Sequence, residues 1–126
     1  MLTELYNSGK YQQVLDEASK RLVDASTSPI EAMIIAASHL ELGHLDRALR
    51  ICNDLKPVLG SRTDFRVLLA SCLRRSGFLK EAEEIYNVAL AEQPDNISLL
   101  NNYANLLVDM NKLDEAEKIL DNIVHS

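Results

Sequence analysis

One short phrase recurs four times along the chain at a fixed interval. It reads GKYQQV at 9–14, GHLDRA at 43–48, GFLKEA at 77–82 and NKLDEA at 111–116, each 34 residues after the last. Gly9, Gly43, Gly77 and Asn111 form one column, and Tyr11, Leu45, Leu79 and Leu113 a second. Val14, Ala48, Ala82 and Ala116 form a third, while Ala36, Ala70 and Ala104 form a fourth that Leu2 opens. A strict period of this size belongs to a solenoid, in which each repeat is one supersecondary unit that buries its apolar face only against its neighbours.

The columns have physical readings. A helix commonly ends on a residue in the left-handed conformation, where glycine carries no Cβ penalty and asparagine is the next best choice. Gly9, Gly43, Gly77 and Asn111 are therefore expected to stop helices. The acids that follow, Asp46, Glu81, Asp114 and Glu115, suit the first turn of a new helix. The two alanine columns fall one on each helix of a pair and let the helices approach closely. Helix starts recur as well: SPIE at 28–31 offers Ser28 as cap, Pro29 in the first turn and Glu31 reaching back, and PDN at 94–96 stops one helix and caps the next.

These signals predict helices at about 1–8, 11–25, 29–42, 46–56, 64–76, 80–92, 97–110 and 114–124. Pro57 is expected to end or kink the fourth of them, since proline lacks the N–H that an interior helical position donates. No stretch alternates with period two, so no sheet is expected. The expected fold is all-α, an α-solenoid of antiparallel helix pairs running through 1–126 as one repeat domain.

Composition narrows the function. The net charge is −6, and between Leu79 and Asp121 ten acids face three lysines. Such a surface repels phosphate backbones, so nucleic acid is not an expected partner. No apolar run approaches the ~20 residues of a membrane span. The start MLTELYNSGK lacks a basic segment leading into an apolar one. The expectation is a cytoplasmic protein with no membrane partner. Cys52 and Cys72 belong to no CxxC pair and sit at helical spacing among apolar residues, as reduced core cysteines do.

Across these columns the chain resembles the tetratricopeptide-repeat family. Residues 63–96 match best, with Leu69, Ala70, Ala82, Tyr86, Ala89 and Pro94 on signature positions. In 97–126 Ala104, Leu107, Ala116 and Ile123 fit. In 29–62 Ala36, Gly43 and Ala48 fit, while Cys52 replaces an aromatic and Gly60 the closing proline. Residues 1–28 read as the back part of a repeat. The large aromatic that often opens a repeat is missing, with Ala32, Arg66 and Leu100 in its place. The related pentatricopeptide family has a 35-residue period and binds RNA; both the period and the charge of this chain speak against it.

The resemblance implies a right-handed superhelix of about three and a half repeats. First helices line a concave face, second helices form the convex one, and a peptide or partner protein binds in the groove without chemistry. Residues expected to face such a groove are Tyr6 in the stub; Met33, Ala37 and Leu40 in the next first helix; Val67, Ser71, Arg74 and Arg75 in the third; and Asn101 and Asn105 in the last. The surface grades from apolar through basic to amide-rich. Arginine pairs with a ligand carboxylate through two parallel hydrogen bonds. Asparagine both donates and accepts, as a peptide amide requires. The clamp with which one subset of the family grips acidic chaperone tails is absent: its columns hold Met33, Ala37, Leu68, Ser98 and Asn102.

Nothing points to catalysis, a cofactor or a metal. His39, His44 and His125 show none of the familiar metal-ligand spacings, and His39 is expected to pack structurally on a first-helix column. No G-x-S-x-G, P-loop or G-x-G-x-x-G is present. The carboxylates of EAEE and DEAE fall on the polar side of second helices. The end helices carry apolar residues, among them Leu2, Leu5, Ile119, Leu120, Ile123 and Val124, with no further helix to cover them. A longer array, self-association through an end, and a module of a larger protein all remain open. The leading expectation is a non-enzymatic interaction scaffold. The alternatives are a regulatory or localising module of a multidomain enzyme, such as a glycosyl- or sulfotransferase, and a small secretion-type chaperone.

Overall fold

The computed structural model describes residues 2–21 and 28–125, the side chains of Arg21 and His125 excepted. Among these residues the chain forms eight helices and no strand. They are α1 (Leu2–Asn7), α2 (Tyr11–Arg21), α3 (Pro29–Glu41), α4 (Leu45–Leu59), α5 (Thr63–Arg75), α6 (Leu79–Glu92), α7 (Ile97–Asp109) and α8 (Leu113–His125). The helix starting at 11 was expected to reach 25; positions 22–25 lie outside the described residues, as does Met1.

The recurring phrase is one turn made four times. Gly9, Gly43, Gly77 and Asn111 have φ of 76°, 83°, 92° and 62°, the left-handed conformation expected of them. At each turn two backbone hydrogen bonds close the preceding helix. Around Gly43, the His44 N–H donates to His39 O at 2.8 Å and the Gly43 N–H to Leu40 O at 3.0 Å. The same pair recurs as Lys10 to Leu5 with Gly9 to Tyr6, Phe78 to Leu73 with Gly77 to Arg74, and Lys112 to Leu107 with Asn111 to Val108. This is the Schellman arrangement of a helix C-terminus.

The residue after the left-handed one then opens the next helix. Its carbonyl accepts from the alanine column: Ala48 N–H to His44 O at 3.0 Å, Ala82 to Phe78 at 3.1 Å and Ala116 to Lys112 at 3.1 Å, with Val14 to Lys10 in the first copy. No side-chain cap is made at His44 or Phe78. One residue therefore ends one helix with its N–H and begins the next with its C=O. That double use explains why α4, α6 and α8 each start one residue earlier than the acids suggested.

The small-residue columns lie in the core. Ala36, Ala70, Ala104, Ala48 and Ala82 are fully buried, and Ala116 is nearly so. In the first of two compact units, residues 1–68, α1 packs on α2 and α3, α2 on α3, and α3 on α4. Leu2, Val14, Ala18 and Ile35 form its core at the start, with Leu5, Tyr6, Leu15, Ile34 and Ile51 against them. In the second unit, residues 69–126, α6 packs on α7 and α7 on α8 around Ala104, Leu107 and Ala116. Cys52 and Cys72 are not joined in a disulfide and are fully buried, as expected.

Two local expectations need correction. Pro57 lies inside α4, which runs on to Leu59. Proline removes only the bond its own N–H would have made, in the last turn, and Leu55 and Leu59 anchor that turn by being buried. The Gly60 N–H still donates to Lys56 O at 3.0 Å. Ser28 occupies the N-cap position of α3 but makes no side-chain bond to the backbone; its hydroxyl donates to Glu31 Oε1 at 3.0 Å. Asn96 does cap α7, accepting from the Leu99 N–H at 3.2 Å.

Candidate functional site

In the first unit the residues singled out from the sequence lie on α1, α3 and the start of α5. Met33 and Ala37, one turn apart on α3, are half-buried, and Ile30 beside them is exposed. Glu41 continues the same stripe. Tyr6 is half-buried, with its ring 5.3 Å from that of Tyr11 at a tilt of 60°. Burial, and then the Glu41 carboxylate and Tyr11, push the Tyr6 hydroxyl above its ordinary pKa. Val67 is half-buried. Leu40 departs from expectation: it is 6% exposed and belongs to the core, so it offers a ligand almost nothing. Its position next to the turn brings it round to the interior, while Ala37 and Glu41 on either side stay accessible.

In the second unit the basic residues lie on α5 and the amides on α7. Arg74 Nε donates to Asp109 Oδ2 at 2.5 Å, joining the last turns of these two helices. Ser71 shares a hydrogen bond with the Tyr86 hydroxyl, whose pKa is raised chiefly by burial. Arg75 is exposed. Asn101 and Asn105 are exposed one turn apart on α7, in a stripe with Ser98 and Val108. No hydrogen bond among the described residues engages either amide side chain.

Glu83 on α6 reaches α7 and the turn that precedes α8. Its Oε2 accepts from the Tyr103 hydroxyl at 3.5 Å and from Lys112 Nζ at 3.3 Å. Burial, followed by Glu83 and Glu115, raises the Tyr103 pKa, and Lys112 partly opposes this. The Tyr86 and Tyr103 rings lie 6.1 Å apart, tilted by 51°, within the range of favourable aromatic pairing.

Sequence reasoning did not find the Arg74–Asp109 or Glu83–Lys112 pairs. Their partners are 35 and 29 residues apart, close to one repeat length, and that interval is the signal that would have suggested them. It also missed a contact in the first unit. His39 and His44 bring their Nδ1 atoms to 3.1 Å, with ring centroids 5.3 Å apart.

The helix pairs, the repeated turn and the buried alanine columns define the architecture. Residues 73–126 match the sequence family described as the tetratricopeptide repeat. The match begins inside α5; the residues before it carry the same left-handed turn and the same buried small-residue columns. No curated protein matches the chain. Among solved structures the fold is similar to MamA, residues 41 to the end, from Desulfovibrio magneticus RS-1. The TM-score is 0.79 at 17% identity, covering 99% of this chain and 71% of that one. A second MamA structure, the RS-1 ArsTM double mutant, gives 0.78 at 16% identity over 99% and 70%. Among the described residues no helix is long and apolar enough to cross a membrane, and no group of three or more His, Cys, Asp or Glu side chains could hold a metal ion.

Proposed function

We propose that this chain is a non-enzymatic tetratricopeptide-repeat interaction scaffold that holds an extended peptide segment of a partner protein against first-helix side chains. The observation that carries this reading is the pair of unengaged amides on α7. Asparagine is a poor helix former, and among the described residues no hydrogen bond of the Asn101 or Asn105 side chain offsets its place in a helix. Both are exposed on one face and can each donate to and accept from a peptide backbone.

Arg74 and Arg75 stand in the last turn of α5 and give that surface a site for a carboxylate. Because Arg74 is paired with Asp109, an acidic ligand has to compete with or share that bond, which weakens its contribution. The α3 stripe of Ile30, Met33 and Ala37 is an apolar surface of the first unit, suited to a hydrophobic side chain. The acidic balance of the chain favours protein partners over phosphate backbones.

The test uses peptides selected from a displayed library against the purified chain, then titrated calorimetrically. Asn101→Ala with Asn105→Ala, and separately Arg74→Ala with Arg75→Ala, should each weaken binding at least about tenfold, the loss of one to two hydrogen-bonded contacts. Glu84→Ala on α6 should leave it unchanged. Equal affinity across all variants would overturn the reading.

A further inference from the structure

The contact between His39 and His44 is fixed by the backbone. In a Schellman turn the residue that donates across the helix end and the residue that accepts are brought side by side. Here these are His44 and His39, joined by an N–H···O bond of 2.8 Å. The other three turns place Lys10 with Leu5, Phe78 with Leu73 and Lys112 with Leu107 at the same two positions. Only the turn at Gly43 holds two imidazoles there. Their five-residue separation matches none of the usual helical ligand spacings, which is why the sequence alone did not bring them together as ligands.

From this juxtaposition we infer that His39 and His44 form a two-imidazole chelate for a borderline divalent transition-metal ion of the Ni²⁺ and Zn²⁺ class. Imidazole nitrogen suits these ions. A metal held ~2.05 Å from both Nδ1 atoms, whose separation is 3.1 Å, subtends about 98° between them, between the square and the tetrahedral angle. The two rings now face each other nearly head-on, as their 5.3 Å centroid separation shows, with one Nδ1–H donating to the other nitrogen. Chelation requires both rings to carry their proton on Nε2 and to tilt so that the Nδ1 lone pairs converge beside the line joining them. One proton is released to solvent only if a ring begins charged; from two neutral rings the change is one of tautomer.

The surroundings carry charge of both signs. Arg47 repels the ion, but it is exposed and free to swing away. Asp46 lines the same shallow depression as His44 and contributes negative charge to it. With two protein ligands, water completes the coordination.

The experiment is a calorimetric titration of the tag-free chain with NiCl₂ and with ZnCl₂ at neutral pH. Two variants take residues the fold already accepts at equivalent turns: His39→Leu, as at Leu5, Leu73 and Leu107, and His44→Phe, as at Phe78. Far-UV circular dichroism establishes that both remain folded. The wild-type chain should bind one ion, each variant should bind at least about 100-fold more weakly because the second ligand acts at high effective concentration, and His125→Gln should match the wild type. Absence of saturable binding in the wild type, retention of binding by either variant, or its loss in His125→Gln would overturn the proposal.

Discussion

Replacing Gly77 by alanine probes the turn on which the whole repeat depends. Gly77 has φ of +92°, and a Cβ built on it meets nothing within 4 Å. No packing term enters, so the cost is conformational. An L-residue in the left-handed region is strained by about 1–2 kcal/mol. Alanine also stiffens the unfolded chain, which returns roughly 0.4–1 kcal/mol. The net loss should be about 0.5–1.5 kcal/mol, lowering Tm by about 2–6 °C in a chain of this size. Urea unfolding followed by circular dichroism should show a lower midpoint with an unchanged slope. Asn111→Ala should cost a similar amount, since asparagine stands at φ of 62° for its tolerance of that region. Asn111→Gly should be neutral or stabilising by a few tenths of a kcal/mol. An unchanged midpoint for both alanine variants would refute the claim that these positions are held left-handed by the turn.

Two further outcomes follow from packing and charge. Ala82 is fully buried in the small-residue column, so Ala82→Leu should overpack its helix pair and cost about 1–3 kcal/mol, read as a lower urea midpoint. His39 has a folded pKa below its unfolded value near 6.5, so the unfolded state binds more protons in that window. Stability should therefore be fully present above pH ~6.5 and decline as pH falls toward the lower folded value, whereas His39→Leu should lack this step.

The fold was legible because it is written four times. Each turn needs a left-handed residue, and glycine or asparagine at 9, 43, 77 and 111 announced it. The buried alanine columns were equally plain, since close helix approach leaves no room for larger side chains. Pro57 misled because its rule concerns helix interiors, and the residue lies in a last turn whose leucines are buried. The candidate surface was less legible. Met33 and Ala37 are half-buried and Asn101 and Asn105 exposed, yet helical spacing put Leu40 with them, although it turns into the core. It gave no sign that Arg74 is engaged by Asp109 or Ser71 by Tyr86, because those contacts join different helices. The histidine pair escaped notice because a Schellman turn, and not regular helical spacing, brings these two residues into contact.

The central claim is that first-helix side chains hold the partner. Amide hydrogen exchange of the chain, free and saturated with a library-selected peptide, tests it most directly. The account predicts slowed exchange in α7 around Asn101 and Asn105 and in the last turn of α5, with α6 and α8 unchanged. Protection confined to α6 and α8 would contradict it.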